Sequence, residues 1–131
     1  MDSPTAAPPT LPRKRILVAD DQPVGRELIR AVLESGGYDV LEAGDGEEAL
    51  NIAISTLPDL ILLDIQMPVL DGMGVVAELR RDPRFASTPV IAVTATAMKG
   101  DLQKGMDAGF TDYLTKPVSI DRLRQIIARF L

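Results

Sequence analysis

Apolar positions along the chain fall into two alternating patterns, short unbroken runs and longer stretches in which apolar residues recur every three or four places. In Asp59-Leu60-Ile61-Leu62-Leu63-Asp64 four consecutive aliphatics show no alternation, which suits a strand covered by helices on both faces. Ile16-Leu17-Val18-Ala19 and Val90-Ile91-Ala92-Val93-Thr94 read the same way. Residues 38–43 make a weaker strand, interrupted by Asp39 and Glu42, and residues 112–115 make a fifth. Helical spacing separates them. Val24, Leu28, Ile29, Val32 and Leu33 form a stripe that stops at Gly36-Gly37. Asp45, with Glu48 three residues on, caps a second helix running through Leu50, Ala53, Ile54 and Leu57 to Pro58. A third opens at Asp71-Gly72, takes in Val75, Val76 and Leu79, and finishes before Pro83. Met98, Leu102 and Met106 predict a marginal fourth helix closed by Gly109, because Gly100 and Gly105 each weaken it by about 1 kcal/mol relative to alanine. Ile120, Leu123, Ile127 and Phe130 line the last helix.

Strand followed by helix, five times over, predicts one α/β domain at residues 13–131 built on a doubly wound, five-stranded parallel sheet. Residues 1–12, with Pro4, Pro8, Pro9 and Pro12 and no apolar period, read as a disordered tail. Strand order does not follow from pattern. The first and third strands are the most apolar, however, and as central neighbours they would bring Asp20, Asp21 and Asp64 together, since adjacent strands lie roughly 5 Å apart.

Composition narrows the chemistry. The 131 residues include no cysteine and no histidine, which removes disulfides, thiolate chemistry, zinc sites of the usual ligands and histidine-based triads. Any phosphohistidine step must therefore use another protein. A net charge of −5 argues against direct DNA binding, which calls for a basic face. No run approaches the ~20 apolar residues of a membrane span, and the amino terminus lacks a signal peptide's apolar core, so a cytoplasmic domain is expected.

Open α/β sheets place ligands outside the carboxyl ends of their strands, and that is where the polar residues stand. Asp20-Asp21 end the first strand, Asp64 the third, Thr94 the fourth, and Lys116 follows the fifth. Clustered carboxylates repel unless a cation offsets them, and an all-oxygen site with few protein ligands suits Mg2+ beside a phosphate. Acids, a divalent ion, a lysine and a hydroxyl around one aspartate make a phosphoryl-transfer site with that aspartate as nucleophile. Each residue alone has an ordinary explanation: a turn cap for the acids, solvent exposure for Lys116, strand filler for Thr94. Four such coincidences at four strand ends are improbable.

These residues resemble the receiver domain of two-component response regulators over residues 14–131. Asp20-Asp21, the stretch Asp64-Ile65-Gln66-Met67-Pro68-Val69-Leu70-Asp71-Gly72, Thr94-Ala95 and Lys116-Pro117 carry the likeness. It implies a CheY-like (flavodoxin-like) sheet of order 2-1-3-4-5. It also implies that Asp64 accepts phosphate from a sensor histidine kinase or a histidine phosphotransfer protein. By the same likeness Mg2+ is held by Asp21, Asp64 and the backbone carbonyl of Gln66, with Asp20 acting largely through water. Lys116 would pair with the phosphoryl group, Thr94 would turn toward it, and Tyr113 would pack inward on activation. Gln66 and Thr96 would flank the phosphoryl group and tune dephosphorylation. Output would pass to a protein partner through the face of the fourth helix, fifth strand and last helix. Such a domain is a signalling phosphoacceptor rather than an enzyme. The stretch at residues 94–101 bears a much weaker likeness to single-domain receivers of the cell-cycle type and to receivers of hybrid kinases.

Rival functions fit less well. Asp20-Asp21 would repel a flavin phosphate, a dehalogenase-type aspartyl-phosphate phosphatase needs a second aspartate where Gln66 stands, and no GxxxxGK[ST] motif is present. The serious alternative is a receiver module from a hybrid histidine kinase or from a response regulator with a separate output domain. Met1 and the proline-rich stretch favour a natural start, and the end at Leu131 is neutral.

Overall fold

The computed structural model of the chain describes residues 13–95 and 99–131, and of residues 99–102 the backbone alone. The tail at residues 1–12 and the expectations placed on Thr96 and Met98 lie outside the described residues. Strands β1 (Arg15–Ala19), β2 (Asp39–Ala43), β3 (Leu60–Asp64), β4 (Val90–Thr94) and β5 (Asp112–Thr115) alternate with helices α1 (Pro23–Ser35), α2 (Gly46–Thr56), α3 (Gly72–Arg80), α4 (Lys99–Ala108) and α5 (Ile120–Phe130). A short 3-10 turn, Pro83–Phe85, follows α3. All strand pairs are parallel and the order is β2-β1-β3-β4-β5, so the two most apolar strands are neighbours at the centre.

The pleat divides the core in two. Successive side chains of a strand point to opposite faces. Ile16, Val18, Leu60, Leu62, Ile91 and Val93 pack with Ile29 and Leu33 of α1 and Leu123, Ile126 and Ile127 of α5. Their neighbours Leu17, Ala19, Ile61, Leu63 and Ala92 pack on the other face with Ala49 and Ala53 of α2 and Val75, Val76 and Leu79 of α3. A strand buried on both faces gains nothing from polar alternation, which is why these runs are unbroken. Each fully buried leucine or isoleucine contributes about 1.5–3 kcal/mol.

Helix starts follow local chemistry. Asp45 Oδ1 accepts from the Glu48 N–H (2.8 Å) while Glu48 Oε1 accepts from the Gly44 N–H (2.7 Å), and Asp71 Oδ1 accepts from the Gly74 N–H (2.9 Å). The apolar stripes are narrower than their spacing predicts. Val24 and Leu28 are 81% and 55% exposed, leaving Ile29 and Leu33 to bury α1. Leu28 borders a cleft at the carboxyl edge with Asp20, Lys116 and Pro117, so this part of α1 faces an open cleft rather than the packed sheet. On α2 the inward positions are Ala49 and Ala53, while Ile54 and Leu57 are exposed. Leu57 leaves the helix with φ 50, because the proline after it disfavours helical backbone at that position. Met106 and Ile120 also turn outward.

Candidate functional site

The sheet register puts the polar strand ends at one level. Ala19 pairs with Leu63, so Asp20 stands beside Asp64; Asp64 pairs with Val93, which leaves Thr94 one step further; and Thr94 pairs with Thr115, just before Lys116. Asp20 and Asp64 are each 4% exposed, whereas Asp21 faces solvent. Carboxylate oxygens of Asp20, Asp21 and Asp64 lie within 4.8 Å of one another. Lys116 Nζ donates to Asp64 Oδ2 at 2.7 Å and sits 3.4 Å from Asp20 Oδ2. The other oxygen of Asp64 accepts from the Gln66 N–H at 3.0 Å, and Asp20 Oδ1 accepts from the Gln22 N–H at 2.9 Å.

Burial pushes the Asp64 carboxyl up from its ordinary value. Bonds from Lys116 and the Gln66 N–H and the Lys116 charge pull it back only in part, and Asp20 adds to the rise. For Lys116 burial acts downward, but contact with Asp64 and Asp20 outweighs it and leaves the ammonium raised. Three acids against one lysine thus leave an excess of negative charge at a partly buried place. That donor set, all oxygen and converging, fits a small hard divalent cation.

Thr94 is buried at the end of β4, and its carbonyl accepts from the Lys116 N–H at 2.8 Å. Tyr113 on β5 is half-buried against the core cluster shared by α2 and α3. Gln66 is exposed and meets Asp64 through its backbone N–H. The structure thus brings Asp20, Asp21, Asp64 and Lys116 into one cluster, with Thr94 at the neighbouring strand end and Tyr113 away from the acids.

Several supporting residues were not anticipated. Arg26, in α1, donates from Nη1 to the Asp20 carbonyl (2.7 Å) and from Nε to Glu42 Oε1 (3.0 Å), tying the first acid loop to β2. Its signal in the sequence was its place one turn into the helix that follows the acid pair. Gly72 is needed because a β-carbon there would lie 2.5 Å from the Asp64 carbonyl oxygen, so α3 starts in contact with the strand end. Between them the loop bends at Val69, whose φ of 70 is unusual for a β-branched residue, with the Leu70 N–H donating to the Pro68 carbonyl at 2.8 Å in a γ-turn. Beside the acids, a cleft of about 420 Å³ is lined by Gln22, Gly25, Leu28, Lys116, Pro117 and Val118 among others.

Residues 16–128 match the family model of the response regulator receiver domain. The polar-differentiation response regulator DivK of Brucella anthropi is 38% identical over 118 residues, covering 90% of this chain and 96% of DivK. The DNA-binding dual master transcriptional regulator RpaA of Synechocystis sp. is 42% identical over 119 residues, 88% of this chain, which spans only 49% of that longer relative. Among solved structures, chemotaxis protein CheY4 of Vibrio cholerae superposes with a TM-score of 0.87 at 31% identity, covering 92% of this chain and 100% of that one. The receiver domain of sensor histidine kinase PA1611 from Pseudomonas aeruginosa, which holds a magnesium ion in its active-site cleft, superposes with a TM-score of 0.84 at 38% identity, covering 91% of this chain and 98% of that one.

Proposed function

The chain belongs to the response regulator receiver domain family, and on that premise we propose that it takes a phosphoryl group onto Asp64 from a histidine kinase or a histidine phosphotransfer protein. Receivers act as signalling phosphoacceptors and bind Mg2+ at an acidic pocket. The observation that carries the assignment is a buried aspartate at a strand end with a lysine at 2.7 Å and two further acids within 4.8 Å.

In the transfer, an Asp64 oxygen forms a bond to phosphorus as the P–N bond of the donor phosphohistidine breaks, and the imidazole leaves with the electron pair. Asp21, Asp64 and the Gln66 carbonyl would hold Mg2+, with Asp20 contacting it through water; the bound ion offsets charge on the phosphoryl oxygens. Lys116, which donates to Asp64 at 2.7 Å, would turn to a phosphoryl oxygen. The donor has to come from another protein, since the chain has no histidine. Exposed Leu28 at the cleft, with exposed Val24 one turn earlier on the same helix, supports a donor that approaches across α1.

The output reading is a switch. A phosphoryl group on Asp64 gives Thr94 new acceptors, Tyr113 moves inward, and α4 follows, altering a protein-binding face of α4, β5 and α5. Gly105 and Gly100 keep α4 weak enough for two packings to be close in energy. Gln66 and Thr96 set how fast the phosphoryl group is lost. The domain, at residues 13–131, works in the cytoplasm and passes its signal to protein rather than DNA. Among the described residues no helix is long and apolar enough to cross a membrane.

The test is incubation with acetyl phosphate and Mg2+ followed by intact-mass analysis. One phosphoryl group should appear and should vanish in Asp64→Asn; a label at another residue would end this reading.

A further inference from the structure

Arg80, the last residue of α3, brings a cation into a half-buried place where no carboxylate among the described residues pairs with it. Its guanidinium is instead spread over four neutral acceptors. Nε donates to the Gly109 carbonyl (2.9 Å), Nη1 to the Phe85 (2.6 Å) and Thr88 (2.9 Å) carbonyls, and Nη2 to Thr111 Oγ1 (3.2 Å). These acceptors come from two places: the segment leading into β4, and the turn that joins α4 to β5. Thr111 closes the link, since its hydroxyl also accepts from the Val90 N–H (3.0 Å) and its own N–H donates to the Val90 carbonyl (2.7 Å).

The turn itself is shaped for this contact. Gly109 has φ +120, and a β-carbon there would lie 2.7 Å from Arg80 Cγ. Both the Gly109 and Phe110 N–H groups donate to the Gly105 carbonyl, and the Phe110 ring is buried in the core cluster of α2 and α3. The carboxyl end of α4 is thus tied to α3, to β4 and to the core by separate contacts. Its amino end begins at Lys99, five residues after Thr94 and on the side of the phosphoacceptor.

We infer that Arg80 is a positioning residue that fixes the carboxyl end of α4 as a pivot, so that phosphorylation of Asp64 displaces α4 by swinging its amino end. Four acceptors in a fixed fork are what a guanidinium can satisfy and a lysine cannot. The inference rests on the switch reading above. It adds where the moving helix is anchored and which side chain decides it.

Amide shifts of the 15N-labelled full chain, with and without beryllofluoride and Mg2+, test it. In the native protein the shift changes should decline from Lys99 toward Ala108 and be smallest at Gly109, Phe110 and Thr111. In Arg80→Gln, changes at those three residues and at Val90 should rise several-fold while phosphorylation by acetyl phosphate keeps its native rate. Thr111→Val, which removes one acceptor, is measured in the same way and should give a smaller change of the same direction; it decides the matter if Arg80→Gln does not fold. Native α4 shifts that are absent would overturn the switch and the pivot together. Native shifts of equal size at both ends of α4 would overturn the pivot and leave the switch standing. A lowered melting temperature with an unaltered shift profile in the variants would show that Arg80 only stabilises the fold.

Discussion

At the carboxyl edge of the sheet stand Asp20, Asp64 and Thr94, the buried polar residues among those described, and the two acids with exposed Asp21 face a single lysine. At the amino edge, charged groups are each held by hydrogen-bond partners. Asp59 accepts from the Arg15 N–H and its own N–H donates to the Arg15 carbonyl, each at 2.8 Å, Arg84 holds Asp82 at 2.7 Å, and Arg80 satisfies four acceptors. Both edges belong to the same strands and share the same core. The difference teaches that this fold gathers like charges at one end and spreads its charged groups over separate hydrogen-bond partners at the other.

The hardest break in that comparison is at the acid edge. Asp64→Asn should reduce phosphoryl incorporation to background in intact-mass analysis, and because it removes one buried like charge it should unfold no more easily than the native chain without Mg2+. Next comes the other edge, where Phe85 is buried just after α3. Phe85→Ala should lose about 3–5 kcal/mol in urea unfolding. Its phosphorylation rate per folded molecule should equal the native rate, since no acid of the site touches that end.

A smaller effect separates repulsion from packing. Asp21 is exposed and lies in the acid cluster, so Asp21→Ala should melt above the native protein in metal-free buffer, by about 4 °C if the relief is about 1 kcal/mol. Mg2+ should raise the native melting temperature and leave the variant's nearly unchanged. Equal native values with and without Mg2+ would remove the repulsion argument.

The smallest effect is a contrast of sign with pH. The Arg84 side chain and N–H hold the Asp82 carboxyl below its ordinary range. Its contribution is therefore present above about pH 4, the unfolded carboxylate value, and is lost as pH falls through the depressed value. Asp64 runs the other way: burial raises its carboxyl, so its contribution is complete below about pH 4 and is lost as pH rises through the raised value. Melting curves of Asp82→Asn and Asp64→Asn against pH should diverge from the native curve in opposite windows, Asp82→Asn only slightly because that pair is exposed.

Strand and helix existence was legible because unbroken apolar runs and a 3.6-residue period leave different spacings, and the cap at Asp45 is a local hydrogen bond that its spacing to Glu48 predicts. Asp20, Asp64 and Thr94 were legible because each ends an unbroken apolar run, and Lys116 because it follows the fifth strand. What spacing cannot report is which part of a helix overlies the sheet. Val24, Leu28, Ile54 and Leu57 have the right period and still face solvent.

By itself, then, the sequence determined the alternation of five strands with five helices, the caps, and the set of chemical groups that end the strands. Tertiary structure alone decided the convergence of Asp20 with Asp64 in register, the tether from Arg26 to the Asp20 carbonyl, the contact of Gly72 with the strand end, and the four-way bonding of Arg80. The physical reason is range. Period and capping act over three or four residues, whereas Lys116 reaches Asp64 across 52 positions and Arg80 reaches Thr111 across 31, and only the order in which strands pair brings such residues together.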